Sequence, residues 1–127
     1  TLVNDNTLFF AIAANETREF KLKLAYTSSI VADFKFDFSG PTGVDGRYYL
    51  TCQDSVLAIR ISSDPIAADS ADSGCGGNGA TEQAALIDGI VVNGGTAGTI
   101  QFRFAQNTAE VSDTIVLANS DLTHERK

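Results

Sequence analysis

One histidine, two cysteines and a scatter of carboxylates are the residues in this chain that could do chemistry. A Ser-His-Asp arrangement needs an imidazole held by packing, beside a nucleophile on a sharp turn. His124 instead lies in a polar C-terminal stretch, and no Gly-x-Ser-x-Gly elbow is present. Asp33, Asp37 and Glu19 approaching across strands would suit glycoside cleavage. Their alternation with lysines fits cross-strand ion pairs on a solvated face better. Asp64, Asp69 and Asp72, with carbonyls around Gly74, offer oxygen ligands of the kind calcium takes. Their spacing matches no EF-hand register, and a solvated acidic loop is the simpler reading. Gly94-Gly95-Thr96-Ala97-Gly98 resembles a phosphate cradle only in its glycines. It lacks the lysine and helix of a P-loop and reads as a hairpin turn. Asn15-Glu16-Thr17 fits a glycosylation sequon, which matters only in a secretory eukaryotic setting.

Cys52 and Cys75 would pair in an oxidising compartment and tether a glycine-rich loop to a strand. In a bacterial cytosol two free, half-buried thiols are the alternative. With one histidine they cannot close a zinc site unless carboxylates help. No catalytic residue, cofactor site or metal site is therefore expected.

These residues must be held by strands. Glu19-Phe20-Lys21-Leu22-Lys23-Leu24-Ala25-Tyr26 and Ala32-Asp33-Phe34-Lys35-Phe36-Asp37-Phe38 alternate apolar and polar. Side chains on a strand point alternately to opposite faces, so Phe20, Leu22, Leu24 and Tyr26 share one face, as do Phe34, Phe36 and Phe38. Asn4-Asp5-Asn6 reads as a turn before a first strand over Leu8 to Ala13. Further strands are expected over Arg47 to Thr51, Val56 to Ile61, Gln83 to Val92, Thr99 to Gln106 and Val111 to Leu117. Ser62 to Thr81 reads as one long loop with almost nothing to bury, and such loops are usually functional or disordered. Ser120 to Lys127 reads as a polar arm. About eight short strands without helical periodicity imply an all-β sandwich or barrel in a single domain spanning 1–127. The expected core is Phe20, Leu22, Leu24, Phe34, Phe36, Phe38, Ile59, Phe102, Phe104 and Ile115.

Composition narrows function. With 127 residues the chain is long enough for one core. A net charge of −7, from 16 acidic and 9 basic residues, argues against nucleic acid and anionic membranes as partners. The basic residues sit singly rather than in a stripe. No apolar stretch approaches the roughly 18 residues of a membrane span, and no charged-then-apolar leader opens the chain. Thr1 rather than Met comes first, which leaves room for a processed segment before it.

Three stretches carry a resemblance. They are Leu8-Phe9-Phe10-Ala11-Ile12-Ala13-Ala14-Asn15-Glu16-Thr17 with the following Phe20 to Ser28, then Asp33 to Phe36 with Gly40-Pro41-Thr42-Gly43. The third is Gly98-Thr99-Ile100-Gln101-Phe102-Arg103-Phe104-Ala105-Gln106-Asn107-Thr108 followed by Val116 to Leu122. Together they resemble a β module of tailed-bacteriophage virion proteins, found in capsid decoration (cement) and some tail-associated proteins. Asn119 stands where that pattern has glycine, and residues from about Tyr49 to Thr81 are unmatched.

The resemblance implies an antiparallel jelly-roll sandwich of tumour-necrosis-factor-like type, commonly a homotrimer on the capsid surface. Its partners would be its own copies and the major capsid protein of the same virion, assembled in the bacterial cytoplasm. An edge-rich sandwich gains by closing its edges on neighbours, and a trimer suits local threefold positions. Phe9, Tyr26 and Tyr49 are the expected trimer contacts. For the capsid, the chain ends Thr1 to Asn6 and Ser120 to Lys127 are expected, with Thr1, Leu2, Val3, Asn4, Leu122, His124 and Arg126 foremost. The competing readings are a tail-fibre head that recognises host glycan through Ser62 to Thr81, and a small glycan-cleaving enzyme.

Overall fold

The computed structural model describes residues 2–54, 59–66 and 73–127. Those residues form ten strands and no helix: β1 (Val3–Ile12), β2 (Thr17–Ser28), β3 (Phe34–Ser39), β4 (Asp45–Gln53), β5 (Ile59–Pro65), β6 (Ser73–Cys75), β7 (Gly79–Val92), β8 (Gly98–Gln106), β9 (Ile115–Val116) and β10 (Asp121–Arg126). They make two antiparallel sheets. One has four strands in the order β1-β8-β3-β6; the other runs β10-β2-β7-β4-β5, with β9 also on β2.

The pairings have a simple logic. β1 pairs with β8, β2 with β7, β3 with β6 and β4 with β5. That is a chain folded back on itself as one long ribbon. Two further pairings, β3 with β8 and β4 with β7, arise when the ribbon rolls up.

Successive strands switch sheets at their connections, except from β4 to β5 and from β9 to β10. Two of these, residues 13–16 and 93–97, lie side by side. Asn15 takes φ 58°, a left-handed conformation that asparagine tolerates. Its N–H donates to the Gly94 carbonyl at 2.8 Å. The buried Asn93 amide donates to Ala13 and Thr96 carbonyls at 2.9 and 2.8 Å, closing both connections with one side chain. The glycines after Asn93 thus carry the chain between sheets, and the expected hairpin there is not formed.

Alternation puts the expected rings inside. Phe10, Phe20, Phe34, Phe36, Phe38, Tyr48 and Phe102 are all buried, with Leu22, Leu24, Leu50 and Ile87 filling between them. Ring centroids lie 5.0 Å apart for Phe20 and Phe38, 5.2 Å for Phe38 and Tyr48, and 4.3 Å for Tyr26 and Phe34. Such pairs contribute about 0.5–1.5 kcal/mol each beyond the area they bury. The outer end of the Phe20 ring reaches Gly89 on β7, so a Cβ there would come within 2.2 Å of it. Only glycine fits there.

Several expectations are corrected. Ile59 is 77% exposed, because its register opposite Gln53 turns it away from the core side taken by Cys52. Ile115 also faces outward, and Phe104 is only partly buried. The last strand shrinks from Val111–Leu117 to Ile115–Val116, since the Gln106 side chain binds the backbone of Glu110 and Ser112 and holds that stretch as a loop. Asn4-Asp5-Asn6 falls inside β1, where the register shifts between Asn4 and Phe9 and the Asp5 carboxylate accepts the N–H groups of Thr7 and Leu8.

Much of 62–81 is strand rather than loop: the end of β5, all of β6 and the start of β7, with Ile66 fully buried. Asp69 and Asp72, two of the calcium candidates, lie outside the described residues, as do residues 55–58 of the expected strand from Val56. A disulfide joins Cys52 on β4 to Cys75 on β6, across the two sheets. The polar tail is β10, paired with β2 from Arg18 to Lys23. Ser120 anchors its start, accepting from Ala25 N–H at 2.9 Å and donating to the Ala25 carbonyl at 3.1 Å.

Candidate docking surfaces

The candidate catalytic carboxylates are not brought together. Asp33 sits in the β2–β3 connection and accepts the Gly77 N–H at 2.9 Å. Asp37, only 1% exposed, takes both arms of Arg103, at 2.8 and 2.5 Å, on the four-stranded sheet. Glu19 lies on the outer face of the other sheet and pairs with Lys127 at 3.2 Å. The expectation of a solvated Asp37 fails because its cross-strand neighbour is Arg103, whose guanidinium covers it. Among the described residues no group of three or more His, Cys, Asp or Glu could hold a metal ion.

His124 is more engaged than a tail residue would be. Its ring stacks on Phe10 at 4.5 Å and its Nδ1 lies 3.0 Å from an Arg18 guanidinium nitrogen. Burial lowers its pKa, Arg18 lowers it further, and Glu16 opposes them. Arg126 reaches Glu16 at 3.8 Å, and Leu122 packs against the core. These three side chains therefore fasten β10 to the fold instead of reaching out as an arm. At the other end Val3 pairs with Phe104 and Asn4 with Arg103, again as strand, while Thr1 lies outside the described residues.

Of the three trimer candidates, Phe9 and Tyr49 are exposed, at 48% and 55%. They stand on different sheets. Tyr26 is fully buried and is corrected: its hydroxyl donates to the Gly76 carbonyl at 2.6 Å. Burial raises its pKa, and the Asp33 charge adds to the shift. Near the end of β2, β9 pairs with Tyr26 and Thr27.

The surface that alternation did not reveal is the outer face of the larger sheet. Its central strand, β7, contains Ala84-Ala85-Leu86-Ile87-Asp88-Gly89-Ile90-Val91-Val92, apolar on both faces. Ala85, Ile87 and Val91 point inward; Leu86, Ile90 and Val92 are exposed on the outer side. A near-continuous apolar run is typical of strands covered on both faces, and this was the readable signal. Beside it Thr123, Lys21, Asp88 and Tyr49 fall in one row across four strands by register. They line a trough of about 560 Å³ together with Ile90 and Glu125. The trough offers an aromatic face, an ammonium and carboxylates. Glu19 and His124 line it as well, and the set suits contact and hydrogen bonding. The chain matches no protein-family model, and a search of curated proteins finds no match either.

Proposed function

We propose that this chain is a structural virion protein, a bacteriophage capsid decoration (cement) subunit acting as a homotrimer at local threefold positions of the shell. The observation that carries the reading is β7. A central strand with Leu86, Ile90 and Val92 facing solvent has one face more than the monomer can cover, and such patches mark protein contacts. The ribbon pairing of β1–β8, β2–β7, β3–β6 and β4–β5 supports the jelly-roll form of the sandwich. The motif resemblance supports the virion setting. The subunit works by burying surface across seams between capsid proteins, with no cofactor and no turnover. A virion leaves the reducing cytosol, which accommodates the Cys52–Cys75 disulfide.

Sedimentation equilibrium of the purified chain, with co-sedimentation on shells stripped of decoration, tests this. The expected result is a trimer that binds shells to saturation and raises their melting temperature. A monomer that leaves the shells' melting unchanged would refute it. One observation favours a second reading, a tail-fibre or receptor-binding head that recognises host glycan: Tyr49 stands beside Asp88 in an open trough that Glu125 also lines. Binding to host cells, lost on Tyr49→Ala, would support that reading instead.

A further inference from the structure

A second exposed apolar group lies at one end of the sandwich, away from the β7 face. Ile30 and Val31 stand on the β2–β3 connection and Val111 on the β8–β9 connection, where it is fully exposed. The two loops are tied together. Thr108 N–H donates to the Ala32 carbonyl at 2.8 Å, and the Ser28 and Thr114 hydroxyls meet at 2.8 Å. Each loop is also braced within itself. The Ser29 hydroxyl accepts Ala32 N–H at 2.9 Å, and Gln106 accepts Glu110 N–H at 3.1 Å while donating to Ser112 O. Hydrogen bonds from Ser29 and Ser112 hold the Glu110 carboxyl below its usual range, so it stays charged.

The tip is thus three stiff β-branched side chains held outward on braced loops. Preorganisation of this kind lowers the entropy lost on binding. None of the three belongs to the buried core cluster. The tip's charge is one-sided: the two loops contain Asp33, Glu110 and Asp113 and no lysine, arginine or histidine. An apolar apex with an acidic rim complements an apolar recess with a basic rim, and the same rim is repelled by anionic lipid.

We propose that the Ile30–Val31–Val111 tip is the element that seats the subunit in a recess on the shell protein, a recess apolar at its floor and ringed by lysine or arginine. The inference rests on the decoration reading and adds to it the end of the subunit that faces the shell. The β7 face is then left to contact between copies.

The test compares wild type with Val111→Ser, Ile30→Ser and Asp113→Lys for binding to stripped shells. All three positions are exposed, so melting temperatures should stay near wild type. Each apolar variant is expected to bind about tenfold or more weakly, from the transfer energy of one buried aliphatic side chain. Asp113→Lys is also expected to weaken binding, and added salt to weaken wild type. Wild-type binding with all variants unchanged overturns the tip and leaves the decoration reading intact. Failure of wild type to bind shells overturns both. Binding to phosphatidylcholine vesicles that Val111→Ser abolishes, with shell binding unchanged, also overturns it and assigns the tip to lipid.

Discussion

Reducing the disulfide should cost this fold a large part of its stability without opening a hole in it. Cys52 and Cys75 are 23 positions apart, and the chain-entropy relation for a loop of that length gives about 3.4 kcal/mol at 25 °C. Both cysteines are buried, and reduction leaves both sulfurs in place. The loss is therefore a constraint on the unfolded chain, with little change in packing. With m of about 1.5 kcal/mol/M in urea, the unfolding midpoint falls by about 2 M on reduction. A Cys52→Ala/Cys75→Ala variant loses packing as well and falls further. Native-state opening should concentrate near β6, which pairs with β3 at three positions and is followed by the Gly76 N–H bond to the Gln53 carbonyl at 2.6 Å. The assay is urea unfolding followed by circular dichroism, with and without reductant, alongside amide exchange at Gly76. Midpoints within about 0.3 M of each other, or unchanged protection at Gly76, would refute the reasoning.

Gly89→Ala drives a methyl into the Phe20 ring and is expected to lose about 1–3 kcal/mol by overpacking, read as a lower urea midpoint that Phe20→Leu partly restores. Arg103→Ala should destabilise more than Asp37→Asn, because it strands a charged carboxylate that is almost wholly buried. The expected loss is about 2 kcal/mol, under the 3–5 of a fully buried pair since Arg103 keeps some contact with water. His124 has its pKa below the ordinary 6.5, so the unfolded chain takes up its proton first as pH falls. Its effect is absent above that value, and stability declines from there down through the folded-state value. Urea midpoints at pH 7.5 and 5 should therefore differ more for wild type than for His124→Gln, and equal differences would count against the Phe10–His124–Arg18 arrangement.

Two kinds of information were readable in the sequence. Where a strand has one wet face, as in β2, β3 and β8, the two-residue period gives its existence and its inward side, and Phe20, Phe36 and Phe102 all fall where that period puts them. Where stability comes from backbone pairing instead, the period is silent. β10 is polar at nearly every position, and what holds it is the ladder to β2, together with the ion pair of Arg126 and the stacking of His124. β5 misled for a related reason: Ile59 looks like a core residue, but its register with β4 turns it outward. Tyr26 belongs to the inward row of β2, with Phe20, Leu22 and Leu24, and is buried like them. The candidate docking face was legible in principle, since Leu86-Ile87 and Ile90-Val91-Val92 are apolar at consecutive positions, a pattern alternation alone does not interpret.

How copies or partners would associate follows from the four sheet edges. A free edge invites another strand, and proteins blunt edges with bulges, short strands, charge or proline. Each edge here has one of these devices. β1 shifts register between Asn4 and Phe9; β6 has three residues; β10 carries Asp121, Glu125 and Arg126; β5 ends on Pro65. Strand addition is therefore disfavoured all round the sandwich. Most of the exposed large apolar side chains of described residues meanwhile collect on the β7–β4–β5 face and at the loop tip, with Val3, Phe9 and Ile115 elsewhere. Association through side chains on a face keeps the backbone ladders closed, so it can be strong without opening a route to open-ended β stacking. The proposed decoration role, addition to a large particle in fixed number, would need that combination.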